Sequence, residues 1–598
     1  MSLPTIALLA YQAKLQELQG RLSDGLGKQT EGLSLLAAMA LLFVIVSFLA
    51  LAKRNIPAWS PLVCIPPSAW IAQSFDRRRG QLRRVQRLRA FYERGMQRLT
   101  HCWQGNGEDG EEFAPVNHPH GRDLNLFGTG SLFELLCTVR TQIGRRWLAG
   151  YLLHAPEAEE SVQRQEAMRE LRDRQALREE IALLGAYDQQ DSDGDTLARW
   201  LDGPVTPFGK LPRLAAAALA VAAGSLALSA LLGLASLSFL AGVLIPLAIL
   251  EGILALVLHK RVRRIIADAQ VAGFELGVLR RGLAFLSRQE FGSPKLKEIV
   301  AQVSAGAAER LRRLERLTEL LEQRNKEWFF LPSLPLLAGT QIAMAIENWR
   351  AGNRHAFRTW LEAWGEFEAL SALACYAFEH QETVSFPEIG GEGPVFEARA
   401  LGHPLLSREE RVCNDFVLNS SAKFYVISGS NMAGKSTLLR AAGANAVLAM
   451  AGAPVTAEKL KLSPFKVCAS ISVADSLLQG KSRFLAEVER LRDAIASTSG
   501  SRPVLFLIDE ILSGTNSSDR RVAAEAVIKT LVEGGAVGAL STHDLALTEI
   551  ADAVDGGVNV HMSSRQGTDV LDFDYRLKPG ITREANATAI ARLSGVPI

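Results

Sequence analysis

The segment 214–258 constrains the fold of this chain more than any other, because its forty-five residues carry a single charge, that of Glu251. As one helix it would be about 68 Å long, roughly twice the hydrocarbon thickness of a bilayer. A natural turn lies at 233–238. Basic residues flank both outer ends: Lys210, Arg213, Lys260, Arg261, Arg263 and Arg264. Since basic flanks favour the cytoplasmic side, we predict a transmembrane hairpin with both ends in the cytoplasm; a buried hairpin in a soluble core is the alternative.

A second spanning candidate lies at 33–52. The residues before it carry mixed charges, unlike the positive leader of a signal peptide, so we predict a retained anchor. Residues 57–73 are also apolar but contain four prolines, and they form either a broken second span or an interfacial segment. If 57–73 spans the membrane, the N-terminus is cytoplasmic; otherwise it lies outside. Residues 1–30 are predicted to form a separate, short amphipathic helix, from four residues at helical spacing: Tyr11, Leu15, Leu18 and Leu22.

Net charge says little about partners, since 66 lysines and arginines nearly balance 64 aspartates and glutamates. The balance conceals a basic run, Arg77–Arg98, with nine arginines against Asp76 and Glu93. Directly after an apolar segment, this run favours a cytoplasmic location for residue 76 onward. We predict that it binds anionic lipid or, alternatively, the phosphates of nucleic acid. The six cysteines include no Cys-x-x-Cys pair, which argues against a zinc site or disulfide framework and is typical of a reducing compartment.

The character of the sequence changes after Pro387, from helical patterns at 123–185 and 262–380 to short β-rich runs alternating with helices. Three apolar runs are typical of buried strands: 424–428, 504–508 and, more weakly, 538–542. Strand, helix and strand at this spacing predict a mostly parallel sheet covered on both faces.

The first of these strands leads into a glycine-rich loop, and an apolar helix follows. Residues 429–436 fit the pattern G-x-x-x-x-G-K-[ST]. Its glycines let backbone N–H groups and the helix N-terminus face a phosphate. We expect Lys435 to reach the β- and γ-phosphates of ATP and the Ser436 hydroxyl to bind Mg²⁺. The residues predicted to contact the nucleotide are Gly429, Ser430, Asn431, Met432, Ala433, Gly434, Lys435, Ser436 and Thr437.

Two acids end the second strand run, and a histidine follows the third. Asp509 is placed to hold Mg²⁺ through water, and Glu510 is placed to polarise the attacking water. His543 stands where a polar sensor of the γ-phosphate is expected; its alternative is an ordinary loop histidine.

These motifs resemble those of the MutS family. Residues 428–437 (SGSNMAGKST) are similar to the family's T-G-P-N-M-x-G-K-S-T, with Ser430 in place of proline, and 509–519 (DEILSGTNSSD) to its D-E-x-x-x-G-T-S-x-x-D. Ser541-Thr542-His543 resembles an A-T-H switch. Residues 480–487 resemble G-x-S-x-F-x-x-E, and upstream segments at 130–148 and 164–167 resemble the opening of the family's helical core.

The resemblance implies an ATPase with ATP and Mg²⁺ as cofactors, acting as a homodimer in which Ser482 reaches the partner's nucleotide. It also implies binding of mismatched, damaged or branched DNA. The sequence departs from the family at its start, where membrane segments and a basic helix stand in place of a mismatch-reading domain. Phe91-Tyr92-Glu93 matches the letters of the family's mismatch wedge, but it lies in the arginine-rich helix, so we interpret it as coincidental.

We therefore predict an α/β P-loop NTPase domain of the ABC type with a parallel sheet, a MutS-like all-α core, and transmembrane helices. The expected domains are 1–75 (anchor), 76–385 (core with the inserted hairpin) and 386–598 (ATPase). The leading hypothesis is a membrane-anchored, MutS-like ATPase that binds DNA, its ATPase domain facing the cytoplasm. The alternative is a mechanochemical or signalling membrane protein that no longer binds nucleic acid. An ABC-type transporter fits less well, because the spans are few and interrupt the core.

Overall fold

The computed structural model describes residues 5–51, 57, 60–115, 118–184, 196–232, 236–304, 306–324, 333–391, 393–430, 432–471, 483–513, 516–563 and 573–582. The chain folds into two compact units. The first comprises Met1–Thr138, Arg146–Ala182 and Ala369–Ile598, and the second Val139–Arg145 and Leu183–Glu368. The sequence-based boundaries after residues 75 and 385 divide the chain differently and stay predictions.

Helices form most of the chain before residue 380. They are α1 Ile6–Leu51, α2 Ile65–Leu99, α3 Leu132–Leu136, α4 Gln142–Leu153, α5 Ala158–Arg172, α6 Gln175–Leu183, α7 Thr196–Asp202, α8 Lys210–Leu231, α9 Leu237–Leu286, α10 Pro294–Ser304, α11 Ala307–Arg324 and α12 Ala338–Glu379. Among the strands, the described residues form four more: α13 Lys435–Met450, α14 Arg483–Ser497, α15 Ser517–Glu533 and α16 Ile550–Ala553. This agrees with the helical patterns predicted for 123–185 and 262–380.

Helices α1 and α2 pack against each other as an antiparallel hairpin. The rings of Tyr11 and Tyr92 meet edge to face with centroids 5.0 Å apart. Further along, a Cβ added at Gly25 would lie 2.3 Å from Leu82 Cδ2, so the absence of a side chain there lets the helices approach closely. The prediction of a short helix over residues 1–30 is wrong at its C-terminal end, since α1 runs on to Leu51. No proline interrupts the sequence of this helix.

The prolines at 66 and 67 do not break α2, because they occupy its first turn, where no backbone N–H is needed for the helix. A short 3₁₀ helix, Ser60–Cys64, precedes them. The segment 57–73 is thus, in its described part, mainly helical.

Within the described part of the chain, three helical stretches are long and apolar enough to cross a membrane by length and composition: Ile6–Ala50, Lys210–Ala230 and Gly242–Gln270. The predicted hairpin 214–258 falls on α8 and α9, while turn residues 233–235 lie outside the described part of the chain. Only 17% and 0% of the apolar windows of these two stretches are buried. Because their apolar side chains are left exposed, the alternative of a buried core hairpin is disfavoured; membrane crossing itself stays a prediction.

The described residues in the C-terminal part of the first unit form two sheets. Their strands are β1 Glu388–Ile389, β2 Phe396–Leu401, β3 Asn414–Leu418, β4 Phe424–Ser428, β5 Lys459–Leu462, β6 Lys466–Ser470, β7 Val504–Asp509, β8 Val537–Thr542, β9 Gly557–His561 and β10 Lys578–Pro579. The larger sheet has the order β10-β9-β4-β8-β7-β6, and the smaller has the order β1-β5-β2-β3. The three strands predicted from apolar runs are confirmed as β4, β7 and β8.

The expectation of a parallel sheet holds for β9, β4, β8, β7 and β6 and is wrong at the edge, where β10 pairs antiparallel with β9. Strand β10 has two residues, one of which is a proline without an N–H, so it suits an edge position with a single neighbour. An antiparallel neighbour can be reached without a helical crossover. The smaller sheet is also mixed and was not predicted. The C-terminal region is therefore an α/β domain with mixed sheets, preceded by a helical region.

Helix α13 lies against the larger sheet and is buried along nearly its whole length. Its small residues permit this: a Cβ at Gly443 would come within 2.5 Å of Leu124 and 2.9 Å of Leu507. Close packing on both sides fixes the helix whose N-terminus carries the glycine-rich loop.

Candidate nucleotide-binding site

The glycine-rich loop joins the end of β4 to the start of α13. Gly429 and Gly434 have φ of 153° and 93°, values that L side chains rarely adopt. A Cβ at Gly429 would lie 2.5 Å from the carbonyl oxygen of Met562, and one at Gly434 would lie 2.9 Å from Tyr575 Cδ1. Both positions thus require glycine for conformation and for space, as the phosphate-loop pattern predicts.

Lys435 is buried at the first position of α13, with 4% of its surface exposed. Its ammonium donates hydrogen bonds of 2.8 Å to the carbonyl oxygens of Gly429 and Ser430, so it lies inside the curl of the loop. Burial lowers the pKa of this ammonium, while the negative charges of Asp509 and Glu510 oppose that shift. The cation is therefore held between the loop and the two acids at the end of β7.

Ser436 and Asp509, the two predicted Mg²⁺ ligands, are brought together. The Ser436 hydroxyl donates a hydrogen bond of 2.5 Å to Asp509 Oδ2. The other carboxylate oxygen accepts a hydrogen bond from Ser541, its neighbour across the β7–β8 pair. A hydroxyl and a carboxylate are the hard oxygen donors that Mg²⁺ prefers, and Mg²⁺ commonly uses few protein ligands beside waters and phosphates. The pair fits that ion, and the part of the chain that is described holds no cluster of three or more His, Cys, Asp or Glu suited to a metal.

Glu510 and His543, predicted to orient water and to sense the γ-phosphate, contact each other. Glu510 Oε1 lies 2.7 Å from His543 Nδ1, and the two side chains are 24% and 48% exposed. The Glu510 N–H donates to the carbonyl oxygen of Ser541 at 3.1 Å, which fixes the backbone as it leaves β7. Glu510 itself has a φ of 54°, so its side chain leaves the strand end in an unusual direction.

The turn after β7 is held by two buried residues whose function sequence reasoning missed. Glu487, 3% exposed on the first turns of α14, accepts a hydrogen bond of 2.5 Å from the N–H of Leu512, which has a φ of 52°. Arg520 of α15 donates to the carbonyl oxygen of Ile511 at 2.6 Å. Glu487 belongs to the segment 480–487 that resembles a family motif, but the sequence alone assigned it no function. Its burial on an otherwise amphipathic helix indicates that it has a supporting role.

The remaining predicted contacts divide into two groups. Met432 and Thr437 are exposed, and the N–H of Ala433 closes a turn onto Ser430 at 3.2 Å. Asn431 and Ser482 lie outside the described residues, so their roles stay predictions.

The upstream segment 164–167 has a structural role within the first unit. Arg164 is buried with its guanidinium 3.7 Å from the ring centre of Tyr151, and Gln165 donates to the Pro387 carbonyl at 2.9 Å. Tyr92 is fully buried and hydrogen-bonded to Glu179. Residues 91–93 lie within α2, and their interpretation as coincidental stays a prediction.

Comparison with known proteins identifies the same region. Residues 425–598 match the family described as MutS domain V. The chain is 32% identical over 235 residues to DNA mismatch repair protein MutS 2 of Halobacterium salinarum, covering 38% of this chain and 26% of that protein. It is 30% identical over 270 residues to DNA mismatch repair protein MSH6 of Arabidopsis thaliana (41% and 20%). A DNA mismatch repair protein MutS of Syntrophomonas wolfei is 29% identical over 324 residues (53% and 34%).

The chain thus spans about a fifth to a third of the length of these relatives. The similarity to the MutS family is thus shown for domain V, residues 425–598, and each relative is matched over only part of its length.

Proposed function

We propose that this protein binds ATP with Mg²⁺ and hydrolyses it to ADP and phosphate. The observation that carries the proposal is the convergence of five side chains where the parallel strands β4, β8 and β7 end: Lys435, Ser436, Asp509, Glu510 and His543. Parallel strands bring their carboxyl ends to one edge of the sheet, the usual position of a ligand in open α/β folds. The match of 425–598 to MutS domain V supports the same assignment.

In this proposal each side chain has a role in the attack of water on the γ-phosphate. Lys435 neutralises charge on the β- and γ-phosphates from inside the loop. Ser436 and Asp509 would hold Mg²⁺, which when bound supplies further charge neutralisation at these phosphates. Glu510 orients the water and accepts its proton as the bond to the ADP oxygen breaks. His543, through its contact with Glu510, sets the direction of that carboxylate and links it to the γ-phosphate.

Replacing Glu510 by glutamine tests this mechanism. Glu510→Gln keeps the shape of the side chain but removes the base, so kcat should fall by about 10²–10⁴-fold while ATP still binds. Glu533→Gln, an exposed acid at the end of α15, is the matched control and should hydrolyse ATP normally. Turnover by Glu510→Gln at the rate of the unaltered protein would remove Glu510 from the mechanism.

The active unit is a homodimer in which Ser482 completes the nucleotide site of the other subunit. The support is the resemblance of 480–487 to the family segment with that role, together with the position of Glu487 beside the turn that follows β7. Ser482→Ala should lower turnover without changing the folding of the subunit. Normal turnover in this variant would argue against a composite site.

The chain is anchored in a membrane, with the ATPase domain on the cytoplasmic side, and it binds mismatched, damaged or branched DNA. The exposed apolar helices support the anchor, and the names of the relatives support DNA as the binding partner. Binding of the detergent-solubilised protein to duplex, mismatched and branched DNA should weaken steeply with salt. No salt-sensitive binding to any of them would remove DNA as the partner.

A specific observation favours the second candidate, a mechanochemical membrane protein without nucleic acid. Several arginines of the basic run have internal partners: Arg98 is buried against Glu379, and Arg84 pairs with Glu180. Fewer are thus available for phosphates than the sequence suggests. Stimulation of ATP hydrolysis by lipid vesicles and not by DNA would favour this candidate, and the reverse would favour the first.

A further inference from the structure

We infer that α1 and α2 form a helical hairpin that enters the lipid bilayer from the side of the ATPase domain, so that the N-terminus lies on the same side as that domain. This inference rests on the membrane anchoring proposed above and goes beyond it. It decides between the two orientations of the N-terminus that the sequence left open.

The base of the hairpin is joined to the rest of the first unit by polar contacts, of which those to Glu379 are buried and the one to Glu382 is exposed. Arg98 of α2 makes a two-pronged ion pair with Glu379, with N–O distances of 2.5 and 2.7 Å. The Tyr11 hydroxyl of α1 donates to the same carboxylate at 3.2 Å. The N–H of Ile6 donates to Glu382 at 2.9 Å.

These partners belong to the end of α12 and the segment that leads into β1, in the same unit as the nucleotide site. A chain that crossed a bilayer once, leaving its N-terminus on the far side, could not make these contacts. The packing around Tyr11 is dense as well: its ring meets Tyr92 edge to face at 5.0 Å and lies tilted against Phe378 at 6.0 Å.

From this base the two helices run away together in antiparallel register. The close approaches of Gly25 to Leu82 and of Gly32 to Phe75 place the apolar residues after position 32 opposite those before position 75. The outgoing apolar part of α1, 33–51, is about 28 Å long at 1.5 Å per residue, close to the thickness of a bilayer hydrocarbon core.

The far part of this hairpin exposes large apolar side chains. Among those that are described, exposure is 62% for Leu41, 61% for Val44, 57% for Phe48, 60% for Val63 and 70% for Trp70. Only 6% of the apolar window of α1 is buried. Soluble proteins rarely leave so large an apolar area in water.

A group of exposed arginines on α2 lies between the apolar part and the base of the hairpin. Arg77, Arg79 and Arg83 follow directly on the return leg and project to solvent. Cations at this level face the anionic headgroups of the cytoplasmic leaflet. From the base outward, the hairpin makes polar contacts with the protein, then exposes arginines, and then exposes an apolar part of bilayer length. This order favours lipid over a groove in another protein as the surroundings of the apolar part.

Labelling of the full-length protein in sealed membrane vesicles tests the inference. Single cysteines are introduced as Gln12→Cys at the exposed base of α1, Val44→Cys in the apolar part, and Glu533→Cys on the ATPase domain. All variants also carry Cys102→Ser, which removes an exposed native thiol, and that background without a new cysteine sets the baseline. The probe is a membrane-impermeant maleimide added to vesicles with the ATPase domain outside.

We expect Gln12→Cys and Glu533→Cys to label alike without permeabilisation, and Val44→Cys to label at least about tenfold more slowly, because a thiol in hydrocarbon has a raised pKa. Labelling of Gln12→Cys only after permeabilisation would overturn the shared sidedness. Labelling of Val44→Cys as fast as Gln12→Cys would show that the hairpin stays in water. Release of the whole chain by an alkaline carbonate wash would instead refute the anchoring itself.

Discussion

Glu487 offers a quantitative test of how the turn after β7 supports catalysis. Its carboxylate is the acceptor for the buried N–H of Leu512, two residues beyond Glu510, and both of those residues have positive φ. A hydrogen bond to a charged group contributes about 1.5–3 kcal/mol, and leaving the buried N–H without a partner costs a similar amount. Two residues in the left-handed region add a cost of about 1–2 kcal/mol each that the native contacts must offset.

We therefore expect Glu487→Ala to destabilise the catalytic arrangement of this turn by about 2 kcal/mol. Since 1.4 kcal/mol corresponds to a factor of ten, kcat should fall about 30-fold. KM for ATP should change little, because Lys435 and the glycine-rich loop do not depend on this contact. Glu487→Gln keeps an oxygen acceptor for the Leu512 N–H and should recover most of the activity.

The assay is steady-state ATP hydrolysis with kcat and KM determined separately, alongside equilibrium binding of a fluorescent nucleotide and thermal unfolding. An unchanged kcat in Glu487→Ala would refute the reasoning. So would a loss that appears only in KM, or a Gln variant as slow as the Ala variant.

Two further substitutions test the loop and the base of the hairpin. Gly434→Ala forces a side chain into a φ of 93° beside Tyr575, so nucleotide affinity measured by equilibrium binding should fall about tenfold, while Gly352→Ala, in open space on α12, should not change it. Unchanged affinity would contradict the need for glycine. Glu379→Gln should cost about 3–5 kcal/mol of stability at neutral pH, because it leaves the buried Arg98 without a counter-charge. Burial alone would raise the pKa of the Glu379 carboxyl, but Arg98 holds it below its usual value. The stabilisation is then complete above about pH 4.3 and is lost as pH falls below it. Thermal melts from pH 7 to pH 3 should show the two proteins converging in acid, and a constant difference would contradict this.

The arrangement of the candidate nucleotide site could be predicted from sequence because its determinants are local. The loop between Gly429 and Ser436 and the acids at the end of β7 follow directly on apolar runs, so strand, loop and helix were recognisable in order. Their convergence also follows from the parallel arrangement of β4, β8 and β7.

Contacts between distant parts of the chain could not be predicted in this way. The smaller sheet pairs Glu388 with Lys461 through strands of two to six residues, too short for a periodic signal. The contact of Glu487 with Leu512 joins residues 25 positions apart, and only the folded backbone shows that the acceptor meets a strained turn. The continuity of α1 was missed because the sequence shows two kinds of surface, one amphipathic and one apolar, on a single helix.

The glycines of the α1–α2 hairpin fix the register of the two helices as well as the distance between them. Leu82 and Phe75 each fit into the notch that a glycine leaves on α1, seven residues apart, so sliding one helix along the other would drive both side chains into backbone. From Tyr11 at the base to position 33 the helix measures about 33 Å. Once inserted, the hairpin would hold its base at a fixed distance from the lipid surface. A binding partner near that base would have to fit within this distance.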